Sequence, residues 1–303
     1  MDIESDTDFE HFPVVDSLDH DILMHRDAHF GGLFPIMIDY YQREGKGIQP
    51  DFDISRIERL AKLEEETKQN LAALFLEANE IQKVADAREA YKKMKAIYEV
   101  KKAKNLHPRL IADLILSEDE MPQDEISAIV AEKDKIVPAL IDLLRSEELY
   151  NPLFPGYGLA PFLVVQCLGA IGDKRAIISL FEALGQSDFF ADEQIIKALK
   201  AIGKPALDFL LHVVNGRPIN QDNEKAAIAL VAFKDEENVA NFCIDLLQRA
   251  DVQKDPCLPT YLILVCAGLK DEGKREELRK MAEDKKLPSL MREDIKGIIH
   301  EWE

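Results

Sequence analysis

The chain has 303 residues, 47% apolar and 31% charged, a balance typical of a globular protein with one large core or an array of repeats. Its formal net charge of −19 argues against nucleic acid, whose phosphates need clustered Lys and Arg, and against anionic membrane surfaces. A protein partner, basic in character, remains compatible with it.

Residues 1–20 form an acidic lead with scattered Phe9, Phe12, Val14 and Val15 and no helical or alternating period, so they are expected to be disordered or loosely attached. The first 21 residues hold eight acids and no Lys or Arg, the opposite of a secretory leader. No apolar run reaches the roughly 18–20 residues that span a bilayer. The expectation is a cytoplasmic protein.

A short helix is predicted from about Ile22 to His29, ended by Gly31 and Gly32. A second is predicted from about Leu33 to Arg43, closed by Gly45 and Gly47. From Asp51 to His107 there is neither Gly nor Pro, and apolar residues recur at spacings of three and four. One unbroken helix there would be about 75 Å long. Two antiparallel helices turning near Glu77-Ala78-Asn79 are preferred, with a dimerising coiled-coil arm as the alternative. Residues 21–120 are thus read as a helical N-terminal module, with a last element over Leu110–Leu116.

After about Met121 the sequence repeats itself. Leu168-Gly169-Ala170-Ile171-Gly172-Asp173-Lys174-Arg175-Ala176 returns 31 residues later as Leu199-Lys200-Ala201-Ile202-Gly203-Lys204-Pro205-Ala206. The pattern recurs at Leu230–Asp235 and at Ala267–Asp271. A period of this size marks stacked units, each too small to bury its own apolar face. Five helical pairs are expected: 125–144, 161–184, 192–214, 223–249 and 261–284. A final helix, 290–302, would carry Trp302 as an apolar cap. Gly suits the left-handed end of a first helix, and Pro205 suits the first position of a second.

Ala170-Ile171-Gly172-Asp173-Lys174-Arg175-Ala176 resembles the HEAT-like repeat of the bilin-lyase type, a small-rich helix followed by Ile/Leu-Gly-Asp-x-Arg-Ala and an apolar helix. Ala201-Ile202-Gly203-Lys204-Pro205-Ala206 is similar to its Gly-Pro-Ala variant. The resemblance covers roughly residues 120–303, and the fourth and fifth repeats lack the Gly and Arg. It implies an all-α fold, an α-solenoid of HEAT-like hairpins preceded by the helical module, and a scaffold that binds proteins.

Residues 147–161 are inserted between two repeats. Tyr150, Phe154 and Tyr157 on this Pro/Gly-rich loop are candidate partner-binding residues, since rigid aromatic anchors dominate interface energy. The alternative is a loop that folds its aromatics back onto its neighbours. Phe189-Phe190 reads as a packing pair. His25 and His29 share a helical face with Asp27 nearby, which invites comparison with a metal site. Asp27 points elsewhere, however, and a packed or surface histidine pair is the preferred reading. Lys92, Lys93, Lys95, Lys101, Lys102 and Lys104 cluster among acids as a solvated helix face. Cys167, Cys243, Cys257 and Cys266 lack paired spacing and read as reduced, buried small hydrophobes.

No phosphate loop, nucleophile elbow or Cys–His pair is found, so no catalytic residue, metal or cofactor is assigned. Some HEAT-repeat proteins are metal-dependent hydroxylases with several His-Glu dipeptides, whereas this chain has only His300-Glu301. The function expected is a non-enzymatic protein–protein interaction scaffold. An enzyme or enzyme accessory of the bilin-lyase or metal-dependent type is the alternative.

Overall fold

The computed structural model describes residues 15–99, 106–186 and 189–302. Most of the acidic lead, Lys101, Lys102, Lys104 and the side chains of Phe189 and Phe190 lie outside the described residues. Among the described residues the protein is all helical, with no strand. The chain divides into two compact units, Met1–Glu125 with Glu147–Ala160, and Ile126–Ser146 with Pro161–Glu303. The aromatic loop therefore belongs to the first unit.

The first unit is built around α1 (Ser17–His29), which packs on α3 (Ile54–Thr67), α4 (Leu71–Phe75) and α5 (Ala78–Glu99). α2 (Phe34–Gln42) packs on α3, and α6 (His107–Leu116) packs on α5. α1 begins five residues before the predicted start. Asp16 and Asp19 form a capping box there, each side chain accepting from the other's backbone N–H, which satisfies donors at the helix end. The core joins Ile22 and Leu23 of α1 to Phe34 and Met37 of α2, Ile57 and Leu60 of α3, and Leu71 of α4.

The predicted pair of helices over 51–107 is instead three. Thr67 turns its hydroxyl back to the Leu63 carbonyl at 2.8 Å, Lys68 adopts a left-handed conformation, and Asn70 caps α4 by accepting from Ala72 and Ala73. Polar side chains, not Gly or Pro, make this break. A second break at Leu76-Glu77 falls where the turn was expected.

In the second unit the helices follow in chain order. They are α7 (Gln123–Ala131, whose first turn belongs to the other unit), α8 (Val137–Leu144), α9 (Ala160–Ile171), α10 (Ile177–Ala183), α11 (Phe189–Ile202), α12 (Lys204–Val214), α13 (Gln221–Leu230), α14 (Glu237–Leu247), α15 (Leu258–Cys266), α16 (Glu272–Glu283) and α17 (Ser289–Glu301). Sequence neighbours pack together from α10 to α13, and α14 packs on α15 and α16 on α17. Next-but-one helices also pack, α8 on α10, α13 on α15, α15 on α17 and α14 on α16.

Gly203, at φ +78°, makes the tight α11–α12 turn, a conformation L side chains resist, and Pro205 follows in the first turn of α12. Asn223 fastens α13 to the end of α12. Its buried amide donates to the carbonyls of Val213, Val214 and Gly216 at 2.9–3.0 Å, satisfying carbonyls a helix end leaves open. Trp302 donates its indole N–H to the Ala267 carbonyl and stacks beneath Arg275.

Cys167, Cys243 and Cys266 are buried and their thiols are pushed up by desolvation, Cys167 and Cys266 to about 12. Cys257, expected to be buried, is exposed at the cap of α15, where the apolar pattern has not yet begun.

Candidate functional site

α1 carries two buried charges that fix its position in the first unit. Arg26 is inaccessible to solvent, yet its guanidinium donates to Asp27 (2.8 Å), Glu64 (2.6 Å) and Asn70 (3.2 Å) and lies over the Phe34 ring. Glu64 and Asn70 also cap α4, so one cation ties α1 to the break between α3 and α4. At the other end Asp19, also inaccessible, accepts from Arg56 (2.7 Å) and Arg59 (2.8 Å) of α3. These guanidiniums overcome the desolvation of Asp19 and hold its carboxyl below the usual range.

So positioned, α1 presents His25 and His29 one turn apart, with ring centroids 4.3 Å apart. His29 Nε2 lies 2.9 Å from the Pro152 carbonyl, which can only accept, so Nε2 carries the proton. Burial lowers the His29 pKa to about 4, leaving the ring neutral. Its Nδ1 is then an acceptor, and the Tyr91 hydroxyl donates to it at 2.8 Å.

His25 is only 2% exposed and sits edge-on to Phe30, Tyr41 and Phe52. Burial first, then the neighbouring His29, holds its pKa well below the ordinary value. The Gly47 backbone acts weakly the other way. Nε2 of His25 is buried and has no hydrogen-bond partner.

The aromatic loop closes one side of this cluster. Tyr157 sits at φ +58° between Gly156 and Gly158, both also left-handed, a strained placement for a side chain with a Cβ. Its ring lies 4.7 Å from that of His29, and its hydroxyl donates to Glu118 at 3.1 Å. Tyr40 donates to the second oxygen of the same carboxylate at 2.8 Å and accepts from the Gly47 N–H. A Cβ on Gly47 would lie 2.4 Å from the Tyr157 ring, so only glycine fits there.

Beside His25 is a cleft of about 330 Å³. Met24, Phe52 and the buried Leu153 supply apolar wall, while the exposed Asp21, Asp51, Lys83 and Asn151 stand at its rim. Burial, then the nearby Glu80, raises the pKa of Asp21.

Of the three loop aromatics singled out in the sequence, Phe154 is buried against Ala28, Ala87 and Leu153, and Tyr157 turns into the histidine cluster. Tyr150 is half-buried. An anchor for a partner needs an accessible ring, which Phe154 lacks. His25, Asp27 and His29 do not converge on an ion, because both His29 nitrogens are engaged and Asp27 is held by Arg26. Among the described residues no group of three His, Cys, Asp or Glu is placed to hold a metal. Sequence reading missed Tyr40, Tyr91 and Glu118, which carry no motif. Tyr40 stands on α2, Tyr91 falls on the apolar spacing of α5, and Glu118 lies two residues past the end of α6, so none of them stands out in the sequence. Among the described residues no helix is long and apolar enough to cross a membrane.

No family model, curated protein or solved structure matches the chain.

Proposed function

We propose that the protein is a non-enzymatic scaffold whose second unit is a short α-solenoid of HEAT-like hairpins that binds proteins. The observation that carries this reading is the coincidence of sequence period and packing. The Gly-Asp and Gly-Lys-Pro turns recur 31 residues apart, and α13, α15 and α17 pack successively on one another. Such stacking buries each pair against the next and leaves an extended face for a partner. A strongly acidic chain attracts a basic partner and speeds encounter, an effect that salt weakens in the cytoplasm relative to dilute buffer.

Asp208 and Asp245 stand on the second helices α12 and α14, each facing a single lysine, Lys204 and Lys274. Affinity capture with the full chain, followed by salt elution, tests the reading. Retained proteins should be basic, should elute with rising salt, and should be lost from an Asp208→Lys, Asp245→Lys variant. Capture of nothing above an unrelated acidic control, or capture indifferent to salt and to the reversed charges, rejects it.

A further inference from the structure

We propose that the groove between α2 and α3 in the first unit docks an amphipathic helix of a partner protein, apolar on one face and flanked by Lys or Arg. On α3, Glu58, Ala61, Lys62 and Glu65 stand at i, i+3, i+4 and i+7, which sets them in one stripe about 10 Å long. Facing it, Leu33, Pro35 and Ile38 at the start of α2 supply an aliphatic wall, and the space between is about 550 Å³. Leu33 is 53% exposed and Pro35 is exposed beside it. This apolar surface runs across two elements and is open to solvent, unlike a lone surface leucine.

Charge identifies the occupant. Glu64, also in the groove, is engaged by the buried Arg26 at 2.6 Å, and Lys62 pairs with Glu66 at 3.7 Å. Glu58 and Glu65, both exposed at the rim, have no ion-pair partner among the described residues. A cationic side chain meets them without displacing a native pair, whereas an acidic segment is repelled. Both walls are helices whose backbone groups are already paired, so the groove offers no open edge to which an extended strand could add. A helix can instead lay two turns of apolar side chains along the stripe, at i, i+3 or i+4, and i+7. Burial of those side chains against Leu33 and Ile38 drives binding, and the exposed charges select and orient the partner.

The test is a titration of the full-length protein with a peptide of about 14 residues, four helical turns, with leucines on one face and lysines on the others. Backbone ¹H–¹⁵N resonances report where it binds. Saturable shifts should concentrate at residues 32–38 and 58–65. A scrambled peptide of the same composition, and one with glutamate in place of lysine, should each bind about tenfold more weakly or worse. Glu58→Lys with Glu65→Lys should weaken binding by a similar factor, and Leu33→Ser should also weaken it. The Asp208→Lys, Asp245→Lys variant of the second unit, with the same change in net charge, should retain binding. All five side chains are exposed, and circular dichroism checks that each variant keeps its helices. Equal loss in the two charge-reversed variants, equal binding of the scrambled peptide, shifts spread beyond the groove, or no saturable shift overturns the proposal. Asp208 and Asp245 lie outside the first unit, so failure here is distinct from failure of the solenoid reading.

Discussion

Tyr91 and His29 lie 62 residues apart in the chain and 2.8 Å apart in the fold, with the tyrosine hydroxyl as donor and the imidazole Nδ1 as acceptor. The direction follows from the other nitrogen, which must give its proton to the Pro152 carbonyl. Removing the hydroxyl strands a buried acceptor. Tyr91→Phe should therefore cost about 1–3 kcal/mol in urea unfolding. Tyr98→Phe is the control. Its hydroxyl donates to Asp113 near solvent, and its loss should cost less than about 1 kcal/mol. Equal losses in the two variants would contradict this account.

His29 also makes stability depend on pH. Its pKa is about 4 in the folded protein, against about 6.5 in an unfolded chain. Between these values the unfolded chain takes up a proton that the folded one refuses. Stability should fall as pH drops from about 6.5 towards 4, with no contribution from this group above 6.5. The full effect is on the order of 3 kcal/mol, and His25 adds to it in the same direction. Unfolding free energies at pH 7.5, 6.0, 5.0 and 4.5 should show the decline, and His29→Gln should flatten it. A level profile in the unaltered protein would refute the assignment.

Gly47 is where backbone and Tyr157 ring meet, leaving no space for a methyl group. Gly47→Ala should cost about 1–3 kcal/mol and alter the near-ultraviolet circular dichroism of the tyrosines. Gly297, inside α17 with nothing near its missing Cβ, should behave oppositely. Gly297→Ala should stabilise by about 0.5–1 kcal/mol through lower backbone entropy in the unfolded chain.

Asn223 offers a test within the second unit. Asn223→Ala removes the donor to three carbonyls at the end of α12 and should cost about 1–3 kcal/mol. Asn223→Asp keeps the shape but offers acceptors where donors are needed, so it should be at least as damaging at pH 7. If the aspartate variant retains full stability, the amide is not what joins α12 to α13.

The amino-acid sequence determined the secondary structure closely, because helix formation here follows local chemistry. Apolar spacing of three and four, the Gly203-Lys204-Pro205 turn and the glycines after α1 each act within a few residues. Two local signals were present but overlooked: the Asp16–Asp19 capping box and the Thr67–Asn70 break. Both are made by side chains that hydrogen-bond the backbone, not by Gly or Pro. What only the tertiary structure decided is the histidine–tyrosine cluster. His29, Tyr91, Pro152 and Tyr157 come from α1, α5 and a loop more than a hundred residues beyond α1. No local pattern can reveal which buried nitrogen acquires a partner and which, at His25, is left without one. Whether a polar group is satisfied depends on distant donors and acceptors brought together by packing, and that is settled when the chain closes on itself.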